Sequence, residues 1–207
     1  MDEKNLLFAV IVGHAYPQLI NWLRKNNIEY NLYSHAYEPA IARNKAIIDF
    51  LDSNKSTLMM FDGDQIPTED TKIFEYPDKP LVYCGYPSRN VKLKGHFGDG
   101  DFAAGCFRCD REVILAMQSK LDIINKQLFI NNFHFSQALE LGWFGRALYN
   151  YGSVETSCSC DWFNALAKSV GYETEMIGTI GHAISVTDIL FLTKEHTSYA
   201  TGKLFSK

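Results

Sequence analysis

No hydrophobic run in this chain approaches the roughly 20 apolar residues that a membrane-spanning helix needs, so a transmembrane protein is not expected. The opening, MDEKNLLFAVIVGHAYP, is acidic ahead of a short apolar run. A secretory leader begins basic and ends on small residues, so none is expected either. Positive charge is in deficit: 20 Lys and Arg against 24 Asp and Glu give a net −4. A dedicated nucleic-acid binder is usually basic, and that class is set aside. Internal repeats, low-complexity tracts and composition shifts are all missing. The expectation is one domain over 1–207, retained in a cytosol, with a polar tail from Thr193 that frays.

Five cysteines (Cys84, Cys106, Cys109, Cys158 and Cys160) cannot all pair internally. Cys106-x-x-Cys109 and Cys158-x-Cys160 together have the count for a four-cysteine zinc site, although both spacings are short. The plainer reading is reduced, partly buried thiols.

What is present is a strand–helix rhythm. LLFAVIVG (6–13) is a continuous apolar run ended by glycine, as in a strand buried on both faces. YPQLINWLRKNN carries Pro17 at a helix start and Leu19, Ile20, Trp22 and Leu23 on one face. IEYNLYS (28–34) is expected as a second strand. EPAIARNKAIIDFLDSN is expected as a second helix, with Ala40, Ile41, Ile47, Ile48 and Leu51 making much of its apolar face. STLMMFD is a third strand. Alternation of this kind predicts a mostly parallel sheet flanked by helices. Further on, PLVYCGYPSRN and FAAGCFRC read as strands, with the loop VKLKGHFGDGD between them. DREVILAMQSKLDIINKQ reads as a helix with Asp110 at its N-cap and Val113, Ile114, Met117 and Leu121 inward. The aromatic stretch 128–153 is either a core-capping excursion or an acceptor lid or membrane-facing patch. A last helix turns Trp162, Phe163, Leu166, Ala167 and Val170 inward and stops at Gly171.

The apolar run TLMMF stops abruptly on Asp62-Gly63-Asp64. Ligands of open parallel sheets bind outside the carboxyl ends of strands, where these acids fall. If Gly63 breaks the strand, the two carboxylates are aimed differently. Neighbouring carboxylates repel unless a cation sits by them, and Mg²⁺ or Mn²⁺ carrying a diphosphate would serve. The plainer alternative is a turn built on Asp64. A second Asp-x-Asp, Asp99 and Asp101, lies among glycines with no apolar strand before it and reads as a loop turn. Arg89, Lys92, Lys94 and His96 form a basic loop, solvated or phosphate-clamping. Asp161 suits the first turn of the last helix on dipole grounds alone, and equally suits a general base. His182, between glycine and alanine, is either packed or a ligand.

Together these pieces resemble the GT-A glycosyltransferases, including small virus-encoded ones, over roughly Leu6 to Val186. The matching motifs run in order: FAVIVG, ARNKAIIDFL, LMMFDGDQIP, FAAGCFRCDREVI, CDWFNALAKSVGYE and the final GH. The resemblance implies a Rossmann-like mixed sheet, with a nucleotide-binding half near 5–90 and an acceptor half near 91–192. It implies a divalent metal (Mn²⁺ or Mg²⁺), a UDP- or GDP-linked sugar donor and a glycan, protein or lipid acceptor, with peripheral membrane contact left open. On this resemblance Asp62 faces the ribose, Asp64 and His182 hold the metal, and His14, Ala15, Tyr16 and Arg43 line the nucleotide pocket. Asp161 is then the base of an inverting transfer. Two departures stand out: the second strand ends NLYSHA, without an acid to read the base, and SCSCDWF lacks an acidic pair. A non-catalytic sugar-nucleotide or glycan binder of the same fold, or a zinc-stabilised interaction module, are the alternatives.

Overall fold

The computed structural model describes residues 5–12, 16–34, 39–75, 78–86, 102, 104–131, 142–144, 159–183, 188–192 and 199–203 (of 127–131, 188–192 and 199–203 the backbone only). The continuous apolar runs do become central strands. β1 (Leu6–Val12) and β3 (Thr57–Asp62) pair in parallel from Leu6↔Thr57 to Ile11↔Asp62. Their inner residues are buried, with the Phe8 and Phe61 rings stacked at 4.8 Å between centroids. β2 (Asn31–Ser34) pairs parallel to β1 on its other side.

β5 (Leu81–Gly85), β6 (Cys106–Asp110) and β7 (Glu175–Thr179) complete a six-stranded sheet in the order β2-β1-β3-β6-β5-β7. Only β6 runs against its neighbours β3 and β5. The result is a mixed, mostly parallel sheet with helices packed on it, consistent with the Rossmann-like GT-A architecture the sequence predicts. A second, four-stranded sheet joins β4 (Gln65–Ile66), β8 (Gly181–Ala183), β9 (Asp188–Leu192) and β10 (Tyr199–Lys203) in the order β10-β9-β8-β4. The tail expected to fray from Thr193 therefore contains a strand, because β10 finds a full antiparallel partner in β9.

α1 (Pro17–Lys25) has proline in its first turn and ends where Asn27 takes φ 53°. Ile28 N–H then donates back to the Leu23 carbonyl at 3.0 Å, a closing bond that satisfies an orphan carbonyl. Reversal here delays the next strand. β2 begins at Asn31, three residues later than the pattern suggests.

α2 (Pro39–Asp52) buries Ala40, Arg43, Ala46, Ile47 and Phe50, whereas Ile41 and Ile48 are about half exposed. The expected apolar face was thus rotated. An arginine stands in the middle of the true inner stripe, and counting apolar residues alone passes over it.

α3 (Arg111–Asn131) turns Val113, Ile114, Met117 and Leu121 inward as expected. Asp110 stands just before α3, and its carboxylate accepts from the Thr57 hydroxyl at 2.9 Å. α4 (Ser159–Ser169) ends at Gly171, φ +91°, with Tyr172 N–H closing on the Ala167 carbonyl at 3.1 Å. Trp143 and Phe144, from the aromatic stretch 128–153, are core residues. The Phe144 ring stacks on Phe163 at 4.5 Å, so this described part caps the core.

Arg111 closes the carboxyl end of α2. Its guanidinium donates to the carbonyls of Phe50, Leu51, Ser53 and Lys55 at 2.6–3.1 Å and lies 4.7 Å from the Phe50 ring centroid. Helix-end carbonyls have no partners of their own, and a planar fork can serve several at once. Arg111→Met is expected to lower the unfolding free energy by about 2–4 kcal/mol, measured by urea denaturation. Arg111→Lys should recover less than half, since an ammonium cannot span the same set.

Candidate functional site

β3 ends at Asp62, and the chain leaves the large sheet through Gly63 and Asp64 to enter the small one at Gln65. The break falls at Gly63 as expected, but not through a left-handed backbone: among the described glycines only Gly171 and Gly178 have positive φ. It is made by a change of partners. Asp62 N–H donates to Gly105 O and Gly63 N–H to Ile11 O, both at 2.7 Å. The Asp64 carbonyl then accepts from Ala183 N–H at 2.8 Å. Each acid is therefore fixed to a different sheet.

Their side chains consequently meet different partners. One terminal nitrogen of Arg43 donates to both Asp62 carboxylate oxygens, at 2.8 and 2.7 Å. The two side chains are 7% and 23% exposed, so this is a nearly buried pair with one open flank. Burial pulls the Arg43 guanidinium down, but the groups around it, Asp62 foremost, together more than offset it and the net direction is up. For Asp62, burial raises the carboxyl above its ordinary value against the pull of Arg43, and the Asp64 charge pushes the same way. The Phe144 ring centroid lies 5.5 Å from the Arg43 guanidinium carbon.

Asp64 instead faces His182, whose Nε2 lies 3.3 Å from Asp64 Oδ2. β4 and β8 supply this geometry, with Gln65 paired opposite His182. Gln65 Nε2 approaches Asp64 Oδ1 at 3.4 Å. The Tyr86 ring packs edge-on against His182 at 5.3 Å. Tyr86 in turn closes over Gly105, where an added Cβ would lie 2.6 Å from the ring, so glycine is required there.

Of the other expected residues, Tyr16 precedes α1, and its N–H donates to the Gly63 carbonyl at 3.2 Å. That ties the end of the β1–α1 connection to the acidic turn. Asp161 lies in the first turn of α4. Trp162, next to it, donates from its indole nitrogen to the Gly142 carbonyl at 3.0 Å, and Phe163 stacks on the Phe144 ring that packs against Arg43, which puts that turn near the Arg43–Asp62 pair. His14, Ala15, the basic loop and the Asp99/Asp101 pair lie outside the described residues.

Asn44, Tyr86 and Phe144 belong to this region and were not anticipated. Asn44 holds Phe144 by a reciprocal pair: Phe144 N–H donates to Asn44 Oδ1 at 2.9 Å, and Asn44 Nδ2 to Phe144 O at 3.2 Å. The one available signal was adjacency, since Asn44 follows Arg43 in ARN. A contact spanning 100 residues has no other trace in sequence.

The zinc-module reading fails on strand geometry. Cys106 and Cys109 are three apart on β6, so their side chains project to opposite faces of the sheet. Both thiols are pushed well up by burial, Cys106 with Cys84 beside it. Cys158 lies outside the described residues. Among the described residues no group of three or more acidic, histidine or cysteine side chains converges as a ready-made metal cage. Asp64 and His182 could offer one carboxylate oxygen and one imidazole nitrogen, a pair compatible with an octahedral ion that keeps several waters and phosphate oxygens. Asp62 is occupied by Arg43.

Among the described residues no helix is long and apolar enough to cross a membrane. No protein-family model matches this chain, and no curated protein matches it. Solved structures align with this chain, among them the following two. The protein A197 from STIV aligns over 98% of this chain and 95% of its own, at 16% identity and a TM-score of 0.61. The fold is shared with that viral protein. A glycosyltransferase involved in the glycosylation of the major capsid of PBCV-1 aligns over 63% of this chain and 76% of its own, at 12% identity and a TM-score of 0.36.

Proposed function

We propose that this chain is a glycosyltransferase that uses a divalent metal, Mn²⁺ or Mg²⁺, to bind a nucleoside-diphosphate sugar. The observation that carries this reading is the division of labour at the end of β3. Asp64 and His182 face each other at 3.3 Å, while Asp62 beside them is locked by Arg43. When bound, the metal would supply positive charge to the diphosphate as it leaves. Asp64 and His182 would hold it by one carboxylate oxygen and one imidazole nitrogen. Asp62, with oxygen lone pairs left over on its open flank, would accept from ribose hydroxyls. Tyr16 would border the nucleotide. Asp161 would take the proton of an acceptor hydroxyl while that oxygen bonds to the anomeric carbon and the sugar–phosphate bond breaks, which inverts the centre.

Calorimetric titration of UDP- and GDP-sugars with and without Mn²⁺ tests this. Binding that appears only with metal and vanishes in His182→Ala is the expected result. If no nucleotide sugar in a broad panel binds in a metal-dependent way, the reading is wrong. Metal-dependent binding with no transfer or donor hydrolysis would favour a sugar-nucleotide binder of the same fold.

A further inference from the structure

The amino end of the sheet carries a cavity of about 580 Å³, lined by residues of β1, β2, the carboxyl end of α2 and the segments next to them. Its origin is the late start of β2. Asn31 pairs with Ala9, so Leu6, Leu7 and Phe8 have no β2 residue paired beside them. The chain from Ile28 to Tyr30 forms another part of the wall. Val12, at the carboxyl end of β1, is roughly 20 Å away along the strand, and the acidic turn lies at that far end. This cavity is therefore separate from the site described above.

The chemistry of the wall is specific. Leu6, Leu7, Phe8 and Ile28 supply apolar surface, and the Tyr30 ring is partly buried against the core. Glu29, Asn31 and Asp49 supply carboxylate and amide oxygens, with Lys55 the one cation. Two carboxylates against one ammonium disfavour phosphates and other anions. A hydroxyl-rich molecule with an apolar face fits both halves, because carboxylates and amides accept hydroxyl protons readily. The volume suits a ligand of one or two sugar rings.

One further group points the same way. The Tyr33 hydroxyl is buried and lacks a hydrogen-bond partner of good geometry. It lies against the side chains of Asn31 and Asp49, both in the cavity wall. Burial pushes the phenol up to about 12, so it remains a neutral donor. A buried hydroxyl whose neighbours are poorly aligned gains from a well-placed partner, which a ligand oxygen reaching between Asn31 and Asp49 would supply.

We propose that this cavity is a second ligand site, for a neutral saccharide, independent of the metal-facing acids. Titration of ¹⁵N-labelled protein with methyl α-glucoside, methyl α-mannoside, methyl β-galactoside and N-acetylglucosamine at millimolar concentrations tests it. At least one should shift amides of 6–8, 28–33 and 49–55. Asp49→Ala should weaken that binding by about ten-fold and Tyr33→Phe by about five-fold. Tyr33→Phe should leave the melting temperature unchanged or raised, since its hydroxyl makes no well-aligned hydrogen bond without ligand. Asp64→Asn should leave saccharide binding unchanged, which separates this proposal from the transferase reading. The proposal is overturned if no saccharide shifts those amides, if the shifts survive Asp49→Ala, or if ethanolamine alone reproduces them.

Discussion

Arg43→Met is expected to lower the unfolding free energy by about 2–4 kcal/mol near neutral pH, with the deficit shrinking as pH falls. Removing one partner of a buried ion pair strands the other charge, and the open flank of Asp62 keeps the figure below that of a fully buried pair. The pH dependence has a definite sign. Burial already raises the Asp62 carboxyl, and Arg43 is the group that holds it down. Without Arg43 the folded-state value rises further. A carboxyl raised in the fold favours the protonated form. Its contribution is complete below the ordinary value of about 4 and is lost as pH rises through the raised one. The variant should therefore approach the native protein in acid and fall away toward neutrality. Urea unfolding across that range measures it. The double variant Arg43→Met with Asp62→Asn should recover much of the loss, since no charge is then stranded. A deficit constant with pH, or a double variant no better than the single one, would show that Arg43 acts through packing alone.

Asp161→Asn and Asp64→Asn are expected to fail at different steps. Loss of a general base lowers turnover by about 10²–10⁴-fold, so Asp161→Asn should keep Mn²⁺-dependent donor binding while transfer nearly stops. Asp64→Asn should lose both, with metal affinity down by more than about 100-fold, because even outer partners of metal ligands are worth 10–100-fold. Donor calorimetry beside initial-rate measurements on both variants separates the roles. If Asp161→Asn weakened donor binding as much as turnover, Asp161 would belong to the binding site and the base would lie elsewhere.

Much of the large sheet was legible because β1 and β3 are unbroken apolar runs, a signal that needs no partner to interpret. The inner face of α3 was legible for a related reason, since its apolar spacing is not interrupted by charge. α2 was misread where Arg43 occupies a buried position, an exchange that makes sense only once Asp62 is known to face it. β2 was drawn too long because Ile28 and Tyr30 look strand-forming, while the reversal at Asn27 carries them away from β1. In the candidate site, Asp62 and Asp64 stood out by composition. Tyr86 and Phe144 did not, because their places depend on packing between segments far apart in the chain. The histidine was visible as a residue, but its position 3.3 Å from Asp64 arises from β4–β8 pairing that no local pattern encodes.

That pairing has a consequence for when the site comes into being. Asp64 and His182 are separated by 118 positions, and β8 is flanked by β9, which is made later still. A chain emerging from the ribosome has both acids and Arg43 in place long before the histidine exists. The large sheet needs β7, which is made just before β8, and a domain folds largely as a unit, so until then the acidic turn exists with half its proposed ligand set. Termination after β3 but before β8 would leave a chain with Asp62, Asp64 and Arg43 but without the imidazole, so any metal affinity that needs both proposed ligands would be acquired only once β8 has been made.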